Sequence, residues 1–509
     1  MDFWTYPEGC TFHKLSDIQD KKVTVMGLGL NGGGEACVRF FLLHGAFVTV
    51  TDMKTEEQLK PTMERLSSDK NLDLSRLKYV LGEHRIEDFE NADCVIKNPG
   101  VKIQGNKYLA CAKHIESDIS IFLHFTKAPI IAITGSKGKS STVSAIYYGL
   151  SQAGFKTFLG GNITVSPLTF LDQTSEKTPV VLELSSWQLS DLRGRKVLKP
   201  KISLITKIVP DHQNWYGNME DYVEDKRLIY KDQTEDCYSI FDNEGDEIGT
   251  GPKDGGTWGD FFATESNAKV LRYGSAPLKN GNYGVWQTFD KNGKFEGKAL
   301  LPGMSEPVSV LEELSIPGSH MRINVLNAAL VMLLMGVKPE DCKSILAKWP
   351  GIDHRLQFFH SYTNKIGGTI RFYNDSCATV PEAAVAASQS FGKSVYLMTG
   401  GTDKGLELTP MIESFTGKVS GHIQVKKLYL LDGSATQKII PALKEAKVEF
   451  KGPFESLEKM LAAVKADFDM DESKDNVAVF SPGATSFGMF ANEFDRGNKF
   501  MKGIKKIFC

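Results

Sequence analysis

Along residues 22–52 the hydrophobic pattern changes period twice. VTVMG at 23–27 is a short apolar run closed by glycine, CVRFFLLHG at 37–45 has a helical apolar face, and FVTVTD at 47–52 alternates. That reads as strand, glycine turn, helix, strand. RLKYVLG at 76–82 and ADCVIKNPGV at 92–101 add two strand–turn units. The rhythm restarts at APIIAITG (128–135), a strand running into a glycine turn, with STVSAIYYGLSQAG (141–154) as the following helix. PVVLELSSWQLS (179–190) and KISLITKIVPDH (201–212) read as further strands, each finishing in polar residues. Residues 242–315 are loop-rich, with hairpins expected at 282–301 turning near Asn292-Gly293, and NVLNAALVMLLMGV (324–337) reads as a helix. TIRFYND, KSVYLMTG, KKLYLLDG and NVAVFSPG are strands of a last unit. Alternating strands and helices imply mostly parallel sheets. The expectation is three consecutive α/β domains: a Rossmann-like domain over 1–126, a central phosphate-loop domain over 127–349 and a Rossmann-like domain over 350–509.

Composition narrows the class. The 509 residues are 41% hydrophobic, with 60 Lys and Arg against 62 Asp and Glu and a net charge of −2, so no polyanionic partner is needed and no basic stripe marks a nucleic-acid binder. Eight cysteines without a C-x-x-C pair suit reduced thiols and argue against a disulfide framework or a structural zinc site. The start, MDFWTYPEGC, lacks the features of a signal peptide, and the longest apolar runs are too short to cross a bilayer. A cytoplasmic protein is expected.

Two glycine turns carry candidate chemistry. GLGLNG, Gly27 to Gly32, follows a strand and opens a helix, and Asp52 closes the next strand. Such a turn brings backbone close to a diphosphate, with the acid beside a ribose or base. NAD is the first reading, a bare tight turn the alternative. The second turn, ITGSKGKSST at 133–142, is shorter than the standard phosphate loop: its nearest glycine gives G-x-x-G-K-S. Gly135, Ser136, Lys137, Gly138, Lys139, Ser140 and Ser141 make up this loop. Its glycines let N–H groups face an anion, Lys139 would neutralise phosphate and Ser140 would offer a hydroxyl to Mg²⁺.

Glu183, Asp211 and His212 on the neighbouring strands and Lys226 on a helix are the further candidates. Glu183 interrupts the run VVLELSS, and a buried carboxylate is costly unless a cation compensates it. Asp211 and His212 close the next apolar run in the same manner. Lys226 shares a helical face with Tyr222, Ile229 and Tyr230. It either snorkels to water or is carbamylated by CO₂ into an acid that helps hold a second Mg²⁺. An NAD-dependent oxidoreductase and a nucleotide-hydrolysing switch are rival readings, the former leaving Lys139, Glu183 and Lys226 without a task.

These segments resemble the Mur ligases, ATP-dependent amide-forming enzymes of peptidoglycan synthesis, whose phosphate loop has the shortened form T-G-x-x-G-K-[ST]. The resemblance runs through the whole chain. GLGLNG, NPGV at 98–101, SDIS at 117–120 and the closing SPGATSFGMF…RG are similar to the D-glutamate-adding branch. It implies ATP, UDP-N-acetylmuramoyl-L-alanine and D-glutamate as substrates, two Mg²⁺ sites and a monomeric enzyme without membrane insertion. By position it implies Lys139 and Ser140 on the ATP phosphates and Mg²⁺, Glu183 on the same metal, and His212 with carbamylated Lys226 on the second. Asn324, Arg355 and Asp375 would hold ATP. Leu30, Asn31, Gly32, Asp52, Met53, Asn98, Gly100 and Asn162 would meet the UDP-substrate, displacing NAD. Thr379, Lys404 and Ser486 would lie near D-glutamate, in a third domain hinged near residue 350. The chain departs from the family at Met321 after His320, at Cys377 in place of a substrate-placing lysine, and in a longer region over 245–270.

Overall fold

The computed structural model describes residues 3–163, 165–246, 249–312, 314, 316–403 and 405–509, apart from the side chains of residues 319 and 320. Lys404, expected near D-glutamate, and the side chain of His320 lie outside the described residues.

The opening run folds as expected from its periodicity. Strands β1 (Lys22–Met26), β2 (Phe47–Asp52), β3 (Leu77–Leu81), β4 (Cys94–Lys97) and β5 (Ile115–Glu116) form a parallel sheet in the order β3-β2-β1-β4-β5. The order reverses at β1 and β4, where an open parallel sheet leaves a crevice for ligands. The helix Gly33–Leu43 begins at Gly32, whose φ of 89° is left-handed and suits glycine.

The second sheet contains β6 (Ile130–Thr134), β7 (Phe158–Gly161), β8 (Val180–Glu183), β9 (Ile202–Ile205), β10 (Tyr238–Asp242), β11 (Lys269–Gly274), β12 (Gly284–Phe289), β13 (Phe295–Leu300) and β14 (Val308–Leu311). Its order is β14-β13-β12-β11-β10-β9-β6-β8-β7. β6, β8 and β9 are buried along their length, as apolar central parallel strands must be. β12 and β13 form the expected antiparallel hairpin, with Gly293 at φ 76° in its turn.

The third sheet holds β15 (Gln357–Thr363), β16 (Thr369–Asn374), β17 (Tyr396–Thr399), β18 (Lys427–Leu431), β19 (Lys451–Phe454) and β20 (Asp475–Phe480), ordered β15-β16-β20-β17-β18-β19. Among the strand pairings of the described residues in this sheet, β15–β16 is antiparallel and the others are parallel. Separate apolar cores cover its two faces, one around Phe372, Met460 and Phe500, the other around Leu397, Leu430 and Ile439. By packing, the chain divides into two compact units. Met1–Glu313 with Ile323–Leu346 forms the first and holds two sheets; Leu314–Arg322 with Ala347–Cys509 forms the second.

Two local readings are corrected. PVVLELSSWQLS is a strand only to Glu183, and Ser186–Ser190 is a helix. Ser185 and Gln188 form a reciprocal capping box that starts it, with Gln188 N–H donating to Ser185 Oγ at 3.2 Å and Ser185 N–H to Gln188 Oε1 at 3.0 Å. KISLITKIVPDH pairs only over Ile202–Ile205, so Asp211 and His212 do not end a strand. Pro210 has no N–H for a ladder, and His212, at φ 51°, instead precedes the short helix Gln213–Tyr216. Among the described residues no helix is long and apolar enough to cross a membrane.

Candidate active site

The phosphate loop is set by close backbone approaches. Gly135 has φ 139°, and a Cβ there would run into the Thr206 hydroxyl; Gly138 has φ 93°, and a Cβ there would press on the Asn324 amide. Asn324 thus sits against the loop as part of the same unit. Ser136 and Lys137 spend their N–H groups on the Lys207 carbonyl, at 2.9 and 3.2 Å. The anion-facing donors are therefore those of the first turn of Lys139–Gln152, which have no intrahelical acceptors. Ser136 Oγ donates to Val209 O at 2.8 Å and accepts from Tyr222 OH at 3.0 Å, so its hydroxyl is structural. Lys139 Nζ donates to the Gly135 and Ser136 carbonyls at 2.9 and 3.0 Å. Lys137 is exposed, while Ser140 and Ser141 are half-buried.

Lys226 does not snorkel. It is 2% exposed at the end of the helix Met219–Lys226, and its Nζ donates to Gly135 O at 2.9 Å. Tyr222, Ile229 and Tyr230 are buried beside it on the expected face. Burial, then the nearby Lys139 charge, pushes the Lys226 ammonium well below its ordinary range, against the opposing pull of Asp211, Asp225 and Glu183. The preceding residue anchors the helix: Asp225 takes 2.7 and 2.9 Å hydrogen bonds from Arg193 and the Tyr216 hydroxyl.

Glu183 closes β8 at 1% exposure. Its Oε1 accepts from Asn162 Nδ2 at 2.8 Å, whereas Oε2 is buried with no hydrogen-bond partner among the described residues. An orphaned carboxylate oxygen beside a phosphate loop fits a divalent cation. The His212 ring packs against Trp187 at 4.7 Å between centroids, tilted by 47°, and its Nε2 lies 4.0 Å from Asp211 Oδ2. Among the described residues no three His, Cys, Asp or Glu side chains form a ready metal cluster.

The first glycine turn opens on a cleft of about 440 Å³ that Leu30, Asn31, Asn98, Asn162, Gln188 and Lys97 help to line. Gly32, Asp52, Met53 and Gly100 are not among its lining residues. Asp52 is turned into the loop, accepting Gly29 N–H at 3.1 Å and Lys54 N–H at 2.9 Å, while Met53 is exposed. Gly100 N–H donates to Asn98 Oδ1 at 3.0 Å and shapes the facing turn. Asn162 joins the two centres, lining the cleft while holding Glu183.

Sequence reading missed Lys97 and Gln188. Lys97 is 3% exposed and lies 2.9 Å from Asp191 Oδ2. A charge closing an apolar strand singled out Glu183, and the same signal marks Lys97 in ADCVIK. Gln188 was hidden by the strand reading of 179–190.

In the second unit, Asp375 accepts Leu356 N–H at 3.1 Å and the Ser481 hydroxyl at 2.6 Å, and burial lifts its carboxyl to about 7. Arg355 is exposed, Thr379 and Cys377 half-buried, and Ser486 buried. The 245–270 region contains the helix Trp258–Glu265; Asp246 Oδ2 accepts Trp258 N–H at 2.7 Å and Trp258 Nε1 donates to Thr250 O at 2.7 Å.

The profile of the Mur ligase middle domain matches residues 133–332, and that of the Mur ligase MurD-like N-terminal domain matches 21–121. The chain belongs to the Mur ligase family, a family of enzymes. Within it, the chain is 38% identical to the UDP-N-acetylmuramoylalanine–D-glutamate ligase of Treponema pallidum, over 96% of this chain and 98% of that protein. The protein of that name from Borreliella afzelii is 37% identical over 97% of this chain and 100% of its own length. Solved structures show the shared fold. MurF from Acinetobacter baumannii aligns at TM-score 0.56 and 14% identity over 99% of this chain and 100% of its own. The UDP-N-acetylmuramate–alanine ligase MurC of Thermotoga maritima aligns at 0.54 and 15%, over 96% and 99%.

Proposed function

We propose that this chain is an ATP-dependent amide ligase that joins D-glutamate to UDP-N-acetylmuramoyl-L-alanine in peptidoglycan precursor synthesis. Near-full-length identity to ligases of that name supports the reaction, and one observation carries the chemistry: Lys226 is buried on the carbonyl of the first phosphate-loop glycine. A depressed ammonium pKa leaves the amine free to attack CO₂, forming an N–C bond and releasing a proton. The resulting carbamate is an anion placed beside Lys139, Asp211 and Glu183.

Two Mg²⁺ sites are assigned here: Ser140 and Glu183, whose Oε2 is orphaned, would hold one ion, and His212 with the carbamate of Lys226 would hold the other. Bound there, Mg²⁺ would neutralise phosphate oxygens that repel an attacking carboxylate. Lys139 adds its charge to the same oxygens. The substrate carboxylate attacks the γ-phosphorus, ADP leaves, and the D-glutamate amine attacks the acyl carbon to expel phosphate. Asn162, which reaches both the cleft and Glu183, positions the acyl end. The cleft takes the uridine diphosphate.

Arg355 and Asp375 are assigned to ATP, and Thr379, Lys404 and Ser486 to D-glutamate. Domains bounded at 1–126, 127–349 and 350–509, a monomeric state and a cytoplasmic location complete the proposal. To test it, purified protein receives ATP, Mg²⁺ and UDP-N-acetylmuramoyl-L-alanine with D-glutamate or rival amino acids. Phosphate release with D-glutamate alone among them supports the assignment. Release with a different acceptor would show that Cys377 has changed the specificity.

A further inference from the structure

An N-terminal segment absent from every motif above packs on β5 and the 191–195 turn, next to the cleft-lining residues Asp118 and Gln188. Tyr6 is 5% exposed, and its N–H donates to Arg193 O at 2.9 Å. Gly9 N–H donates to Arg195 O at 2.8 Å, and the Arg195 guanidinium sits 4.1 Å over the Tyr6 ring. Farther along, Thr11 gives its N–H and hydroxyl to Glu116 Oε1 at 2.8 and 2.9 Å. Glu116 in turn pairs with buried Arg195 at 3.0 Å. The segment therefore binds the 191–195 turn and β5 at once.

The Tyr6 hydroxyl makes one contact that leads into the cleft. It donates to Asp191 Oδ1 at 3.1 Å, while Asp191 Oδ2 lies 2.9 Å from Lys97 Nζ. Lys97 then donates to the Asn98 and Val101 carbonyls at 3.1 and 3.0 Å, pinning the turn whose Asn98 faces the ligand space. Asp191 and Lys97 are 4% and 3% exposed, so neither charge has water as a substitute partner. A buried carboxylate with one oxygen unpaired is free to turn away from its cation; Tyr6 removes that freedom.

We propose that residues 3–12 act as a strap and that Tyr6 is a positioning residue for the uridine-nucleotide cleft, holding Asp191 against Lys97 and thereby the Asn98–Val101 turn. This rests on the cleft being the nucleotide subsite of the ligase reaction. Tyr6 touches no reacting atom.

The test compares wild type, Tyr6→Phe, Asp191→Asn and the double variant in steady-state turnover, with titration by uridine diphosphate as a readout independent of catalysis. Tyr6→Phe keeps the ring under Arg195 and removes only the hydroxyl. KM for UDP-N-acetylmuramoyl-L-alanine and the Kd for uridine diphosphate should rise about three- to tenfold, with kcat and the KM values for ATP and D-glutamate unchanged. In the Asp191→Asn background, Tyr6→Phe should add nothing, because both act on one path. Thr11→Val, on the same strap but off that path, should lower thermal stability without moving KM. Unchanged nucleotide affinity in Tyr6→Phe, an equal rise in all three KM values, or additive effects in the double variant would each overturn the proposal. A wild-type protein that fails to turn over these substrates would instead count against the ligase reading.

Discussion

The two glycine turns of the first unit have nearly the same backbone and opposite surroundings. Each follows a buried strand and opens a helix through a left-handed glycine, Gly32 at φ 89° and Gly138 at φ 93°. Around the first, the nearby acid Asp52 is satisfied by one N–H of the loop, from Gly29, and by the N–H of Lys54, and the turn faces an open cleft. Around the second, two lysines meet on the Gly135 carbonyl and a buried carboxylate oxygen has no partner among the described residues. Glycine geometry makes a place for an anion; the side chains brought from other strands decide whether that place only binds or also drives chemistry.

That contrast breaks most visibly at the lysines. Lys226→Ala or Lys139→Ala should lower kcat by about 10³-fold, the scale of losing a transition-state charge contact. Titration with uridine diphosphate should be unchanged, since the cleft is built elsewhere. Near-normal turnover by Lys226→Ala would remove the carbamate from the proposal, and ¹³CO₂ labelling observed by NMR checks it directly in the wild type.

Matched glycine substitutions sharpen the comparison next. A Cβ on Gly34 would run into the Gly27 and Leu28 carbonyls, and one on Gly135 into the Thr206 hydroxyl. Each alanine should cost roughly 1–3 kcal/mol in denaturant unfolding. Gly34→Ala should weaken uridine nucleotide binding and spare ATP, and Gly135→Ala should do the reverse. Loss of both ligands from either variant would mean that the loops are not separate sites.

Smaller effects follow from the acids. Asp52→Asn loses one of the two acceptor oxygens that hold Gly29 and Lys54 N–H and should lower stability by about 1 kcal/mol, read from thermal melts. Asp375, outside both loops, provides a pH signature. Its carboxyl is lifted to about 7 from the ordinary value near 4, so between these limits the folded state holds the extra proton. Stability of the second unit should fall as pH rises through that window, and Asp375→Asn should flatten the decline in pH-dependent unfolding.

Much of this was legible in the chain. The strand–turn–helix rhythm marked both glycine loops because buried parallel strands are apolar throughout and their helices end on glycine. Glu183 stood out as a charge closing an apolar strand, and Lys226 as a cation on an apolar helical face. His212 was misplaced because the apolar run continues past the last ladder partner, Ile205, and sequence alone does not show where pairing stops. The Ser186–Ser190 helix was hidden although its Ser185–Gln188 capping pair was visible. Tyr6, Asp191 and Arg193 were out of reach, because their roles come from contacts between segments nearly two hundred residues apart that no local pattern encodes.

The central claim, that the phosphate loop and its buried charges drive amide formation through an acyl phosphate, has a direct chemical test. UDP-N-acetylmuramoyl-L-alanine labelled with ¹⁸O in its carboxylate is turned over with ATP, Mg²⁺ and D-glutamate, and the released phosphate is analysed by mass spectrometry. One carboxylate oxygen should appear in each phosphate formed, in step with amide product. Unlabelled phosphate, or phosphate released without D-glutamate at the full rate, would contradict the mechanism.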